Sequence, residues 1–380
     1  MIGRRKRVLS SRACKLLAAL GCVALVGAIT GCQTLGYYGQ AIRGECQILA
    51  HRQPIKELLA NAKTSPELKE KFRLVLQARE FAEKQLGLPA DDQYLRYVDV
   101  HRRYVVWNVH AAPEFSLEPK AWWYPFVGRL KYRGYFSESG ARRYAASLEK
   151  KGWGVYVEGV VAYSTLGWFK DPLLNTFITE PDSDLAEILF HELAHQRIFI
   201  GGDTDFNEAF ATAVGEEGVR RWLGAKTAQD EYNKYFAALK RNEQFVQIVM
   251  AAREKLRDLY RDKASTEGLR QNRPPKRQDS ALLGPQRDQI IAQLREEYAR
   301  LKSDWGGISD YDKWFSKPLN NAQLNTISTY YDLVPGFRAL LQKNGGDLEK
   351  FYTEVRVLGK LKKSERHQRV KALQTNEERN

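Results

Sequence analysis

Cysteine is scarce in this chain, with 4 in 380 residues: Cys14, Cys22, Cys32 and Cys46. Cys14 and Cys22 belong to a segment that reads as an export leader and Cys32 stands at its junction with the body, so Cys46 alone is left as a free thiol and no disulfide forms within the body. Roughly 350 residues supply an ample core without one. Histidine is nearly as rare, with 6 in all. A dense basic patch interleaved with aromatics is also missing, which argues against nucleic acid as a partner. The formal charge is +14, but 6 basic and no acidic residues of the leader contribute to it, leaving a mild +8 on the body.

The leader consists of Arg4, Arg5, Lys6, Arg7, Arg12 and Lys15, followed by the apolar run Leu16–Ile29, which is too short for a comfortable membrane span. It ends in Ile29-Thr30-Gly31-Cys32, which resembles the bacterial lipobox. That resemblance implies that residues 1–31 are a lipoprotein signal peptide and that Cys32 is lipidated as the mature N-terminus. Gln33, standing where an Asp would retain the protein at the inner membrane, implies the outer membrane. The expected location is therefore the bacterial cell envelope, on the periplasmic face of the outer membrane, with the membrane reached through the N-terminal lipid. An ordinary secretory signal or a single anchor helix is the plainer alternative.

Apolar spacing predicts an α+β, mainly helical body over 32–380. Residues 37–90 read as helical, with Pro54, Pro66 and Gly87-Leu88-Pro89 as punctuation. Residues 95–170 read as strand-rich: Tyr104–Val109 and Gly154–Tyr163 are dense in β-branched and aromatic side chains, and Trp122–Phe136 is a turn-rich connection between them. Two helices follow over 182–222, then a helical part over 223–360. Residues 265–282 are charged, proline-bearing and poor in apolar residues, which predicts a mobile loop. Residues 360–380, with Lys360, Lys362, Lys363, Arg366, Arg369 and Lys371, read as a solvated basic tail.

The stretch Asp184–Glu217 carries the chemistry. His191, Glu192 and His195 form H-E-x-x-H on a segment with apolar residues at Leu185, Ile188, Leu189 and Leu193, so both imidazoles lie on one helical face a turn apart. That is two ligands of a Zn2+ site, one ion per chain. Catalytic zinc takes three protein ligands and a water, and Glu192 is a carboxylate placed to accept that water's proton. Two core histidines satisfied by packing are the bland alternative. Gly201 and Gly202 let the chain turn back, and Glu208 opens the next helix as third ligand, with Glu216 and Glu217 as fallbacks. A rival role exists: Asp205-x-x-Glu208 has the spacing of a capping pair, which would point Glu208 at its own helix start.

Several stretches together resemble the predicted bacterial aminopeptidases that carry a lipoprotein signal and a gluzincin-type site. They are Val105-Val106-Trp107-Asn108-Val109, Tyr132-Arg133-Gly134-Tyr135-Phe136, Ala162–Trp168, His191-Glu192-Leu193-Ala194-His195-Gln196, Asp203-Thr204 with Phe206-Asn207-Glu208, and Thr329-Tyr330-Tyr331. The resemblance implies a zincin-like metallopeptidase domain with a small sheet beside the H-E-x-x-H helix, acting on a peptide substrate. It also implies cysteines near two positions held here by Trp123 and Arg129, so any thiol role there is absent.

Three further expectations concern substrate. The segment around Ala162, Tyr163 and Ser164 reads either as a cleft strand whose free edge pairs with an extended peptide or as an ordinary buried strand. Tyr330 or Tyr331, ahead of Tyr163, is nominated to stabilise a developing oxyanion. An aminopeptidase needs a carboxylate for the substrate ammonium, and Glu158, Glu187, Asp205 and Glu216 all qualify. The alternative to an enzyme is a non-catalytic, metal-binding envelope lipoprotein that acts as a binding or scaffold protein. Glu192 discriminates the two, because a purely structural site has no use for a base.

Overall fold

The local signals for helix ends are obeyed in the computed structural model, which describes residues 36–125, 127–165, 169–226, 229–263 and 277–377. The leader, Cys32 and Leu166–Trp168 lie outside the described residues. The chain divides into two units, Met1–His51 and Arg52–Asn380. In the first, a helix spans residues 36–50 (α1). No described helix is long and apolar enough to cross a membrane.

In the second unit a two-residue strand, β1 (Gln53–Pro54), precedes α2 (Ile55–Ala60) and α3 (Pro66–Leu86). Ser65 caps α3 by accepting from Leu68 N at 3.3 Å, Pro66 sits where no N–H is needed, and Gly87 ends it. The strand region holds β2 (Arg96–Val98), β3 (Val106–Pro113), β4 (Trp122–Tyr124), β5 (Gly128–Leu130), β6 (Arg133–Tyr135) and β7 (Trp153–Val160), with β8 (Leu173–Leu174) just beyond. Trp122–Phe136 is thus not a bare connection: it contains a β4–β5 hairpin and the edge strand β6. A helix, α4 (Glu138–Glu149), also interrupts the strands, capped by Ser137 and burying Ala141, Ala145 and Leu148.

The sheet next to the site has the order β6-β3-β7 and is antiparallel, with Asn108 opposite Glu158 and His110 opposite Tyr156. Strand β3 is buried along nearly its whole length because it is paired on both edges and packed by α4. Strand β7 stops at Val160, short of the expected end at Tyr163.

Helices then dominate: α5 (Asn175–Ile178), α6 (Asp182–Arg197), α7 (Thr204–Lys226), α8 (Gln229–Lys263), α9 (Arg277–Asp304), α10 (Asp312–Phe315), α11 (Asn321–Tyr331), α12 (Val334–Lys343), α13 (Leu348–Gly359) and α14 (Lys363–Glu377). The body is α+β and mainly helical. Helices α6 and α7 pack closely because Gly218 has no side chain: a Cβ there would meet Phe190 at 2.6 Å and Leu86 at 2.9 Å. A separate aromatic cluster joins α8, α9 and α10, where Phe245 stacks on Tyr311 at 3.8 Å and Tyr298 on Phe315 at 4.3 Å.

Two expectations need correction. Residues 265–276 of the anticipated loop lie outside the described residues, but 277–282 belong to α9, which carries Pro285 in its interior. Packing of Leu283, Leu294 and Tyr298 against α8 outweighs the local proline penalty. The C-terminal basic run is a docked helix rather than a tail, with Arg366 and Val370 buried in α14.

Candidate metal centre

Helix α6 is covered on most sides: Leu185, Ala186, Leu189, Phe190, Leu193 and Ala194 are all fully buried, so the imidazoles that it carries are fixed by the core. Asp182 and Asp184 occupy its first turn, where carboxylates favour the helix dipole, and Lys71 reaches Asp182 at 2.8 Å.

The turn to α7 is built from three devices. Gly202 takes φ +79°, a left-handed conformation natural to glycine. Asn207 clamps Ile200, accepting from its N–H at 2.8 Å and donating to its carbonyl at 2.9 Å. Asp203 caps the helix, accepting from Phe206 N at 3.5 Å. Asp203 is itself held by Arg366 at 2.5 Å and His367 at 2.8 Å, with Lys363 at 3.3 Å. Burial opposes its charge, but His367, Lys363 and Arg366 outweigh this and hold its carboxyl at about 2.

The capping pair expected as the rival role of Glu208 is not formed: the Asp205 carboxylate takes Lys131 Nζ at 2.6 and 2.7 Å. Glu208 turns instead to α6, its Oε2 lying 3.4 Å from His191 Nε2 and 3.5 Å from His195 Nε2. The two Nε2 atoms are 3.1 Å apart. Burial would raise Glu208, yet the adjoining His195 and His191 hold it at about 2, so it is an anion facing two imidazole nitrogens. His191, His195 and Glu208 form a group able to hold a metal ion.

A second cluster, Asp203, Asp205 and His367, also brings donors together. It does not fit a cation, because Arg366, Lys363 and Lys131 already neutralise both carboxylates.

Glu192 is buried beside the first group. Burial, reinforced by Glu208 and Asp171 against the pull of His191, lifts its carboxyl to about 7, the range suited to a proton acceptor at neutral pH.

The two nominated tyrosines part company. Tyr330 lies with its ring near-parallel to His191, centroids 6.4 Å apart, and its electrostatic neighbours include Glu208, Glu158, Tyr132 and Glu192. Tyr331 instead has Asn242, Glu216 and Glu187 as its neighbours, and none of the three metal donors. In that same group Tyr235 donates to Glu187 at 2.9 Å and Arg338 to Glu216 at 2.8 Å. Burial, with Glu216 close by, pushes Glu187 up to about 8.

Ala162, Tyr163 and Ser164 are not a cleft strand. They follow the end of β7 in a loop fastened to Asp171, which accepts from Ser164 Oγ at 3.4 Å, Thr165 N at 3.1 Å and Thr165 Oγ1 at 2.6 Å. These side-chain bonds replace ladder pairing. Ala162 is buried, and Tyr163 packs edge-on to Phe136 at 5.9 Å.

Sequence reasoning missed Asp171 and Asp203. Asp171 also accepts from Gln196 at 3.3 Å, tying that loop to the residue after His195. Its only local signal is Thr165, six positions earlier. Asp203 could have been found as the acidic residue between the glycine turn and the next helix, the ordinary place for a cap.

Neither the curated proteins nor the solved structures gave a match to the chain. A family model described as "Putative aminopeptidase" matches residues 36–370, nearly the whole body, and the chain belongs to that family.

Proposed function

We propose that this chain is a zinc-dependent, zincin-like peptidase that releases amino-terminal residues from peptides in the bacterial cell envelope. The observation that carries the reading is the convergence of His191 Nε2, His195 Nε2 and Glu208 Oε2, separated by 3.1, 3.4 and 3.5 Å, beside a buried Glu192. For a tetrahedral ion with bonds of about 2.0–2.2 Å, ligand atoms stand roughly 3.3–3.6 Å apart. Two imidazoles and one carboxylate are also the donor set of an open, catalytic zinc site.

When bound there, zinc supplies Lewis acidity toward the scissile carbonyl and lowers the pKa of a water. The protein's own groups do the rest. Glu192 accepts the proton released as water attacks and delivers it to the departing amine, a shuttle for which a carboxyl near 7 is matched. Tyr330, seated against His191, is the group proposed to donate a hydrogen bond to the developing oxyanion. Asp203 and Asn207 fix the turn that presents Glu208.

The lipobox-like end of the leader supports an outer-membrane location for this activity, with Cys32 as the proposed lipid attachment site. The deciding experiment is metal analysis of the purified chain together with a screen of amino-free and amino-acetylated peptides. One equivalent of zinc and hydrolysis of amino-free peptides are expected; a metal-free protein that cleaves neither set would overturn the reading.

A further inference from the structure

Removal of an amino-terminal residue requires a receptor for a free ammonium. Three of the four carboxylates that could serve are already engaged. Asp205 is paired with Lys131 at 2.6 Å, Glu216 with Arg338 at 2.8 Å, and Glu187 accepts from Tyr235 at 2.9 Å.

Glu158 differs. It lies on β7, the outer strand of its sheet among the described residues, and its side chain is 39% exposed. No lysine or arginine among the described residues pairs with it; the one charged-group neighbour is His110, whose Nε2 stands 3.6 Å from Glu158 Oε2. His110 is 9% exposed, and its buried Nε2 has no hydrogen-bond partner. A buried polar nitrogen left unmatched is costly, and its neighbour is a carboxylate, which cannot donate when ionised. Both observations fit a ligand that brings donors and positive charge.

The register supports this placement. Asn108 faces Glu158 and His110 faces Tyr156 across the ladder, so all four side chains lie on one side of the sheet. Tyr132 and Tyr156 flank His110, with ring centroids at 5.9 and 6.2 Å. Tyr330 connects this face to the metal donors, with its ring on His191 and Glu158 among its neighbours.

We propose that Glu158 and His110 form the binding site for the amino-terminal ammonium of the peptide substrate. Glu158 supplies the ion pair, His110 accepts a hydrogen bond at Nε2 with its proton on Nδ1, and the rings of Tyr132 and Tyr156 add cation–π attraction. The site rests on the peptidase reading, since it specifies which end of a peptide that enzyme holds.

The test uses the full chain and two probes, tetra-alanine with a free amino terminus and its N-acetyl form. In the unaltered enzyme the free peptide is preferred. Glu158→Gln should lower kcat/KM for the free peptide by roughly 10–100-fold, mainly through KM, and leave the acetylated peptide nearly unchanged. Glu158→Asp should restore part of the loss. In a Glu192→Gln background, calorimetric binding of free tetra-alanine should weaken by the same factor when Glu158→Gln is added. An unchanged preference, or an equal loss on both peptides, overturns the ammonium site while leaving the peptidase reading intact. An unaltered chain that neither cleaves nor binds either peptide overturns both.

Discussion

Arg366 and Asp203 stand 163 positions apart in the chain and meet at 2.5 Å, both almost fully buried. The contact fastens the last helix of the fold to the cap of the helix that carries Glu208.

That pair makes stability depend on pH. The carboxyl of Asp203 sits at about 2 in the folded chain against an ordinary value of 3.8. Its contribution, about 2 kcal/mol, is fully present above the unfolded value and is lost as pH falls through the folded one. Urea unfolding of the unaltered chain and of Asp203→Asn should therefore differ most at neutral pH and converge toward pH 2. A gap that stays constant between pH 6 and pH 2 would contradict the assignment.

Glu208 and Glu192 should fail in different ways. Glu208→Ala removes one of three donors and should leave well under one equivalent of metal on a folded protein. Glu192→Gln should keep the full equivalent while turnover drops on the order of 100-fold or more. Metal content measured beside peptide hydrolysis separates them, and a fully loaded Glu208→Ala would move the third ligand elsewhere.

The tyrosines provide an internal control. Tyr330→Phe should lower kcat by roughly 100-fold with little effect on KM, as expected for a donor that acts on the transition state. Tyr331→Phe, whose neighbours are Asn242, Glu216 and Glu187, should leave kcat within a few-fold. Equal effects on kcat would remove Tyr330 from the mechanism.

For the leader, Cys32→Ser should yield protein that is unprocessed or released from the membrane. Fractionation and mass spectrometry give the answer, and a variant that still carries lipid and sediments with the outer membrane would rule out lipid attachment at Cys32.

The parts of the site legible in the sequence are those fixed by short spacing. One helical turn separates His191 from His195, and the glycine pair announces the return to Glu208. The β-branched runs around Val106 and Val155 likewise announce β3 and β7. What stayed hidden depends on partners far along the chain. Nothing local shows that Lys131 will occupy Asp205 or that Arg338 will occupy Glu216, so four carboxylates looked equivalent until their partners were known. The end of β7 was missed because the hydroxyls of Ser164 and Thr165 find Asp171 rather than a neighbouring strand. The basic C-terminal run was misread because composition alone cannot show that Arg366 has a buried carboxylate to meet.

The three donors lie on one helix–turn–helix, whereas the cap of its second helix is charge-balanced only by residues near the end of the chain. The donor group is thus local in sequence, but the charge balance of Asp203 depends on α14. Loosening α14 would therefore leave a buried, unbalanced carboxylate at the head of the helix that carries Glu208.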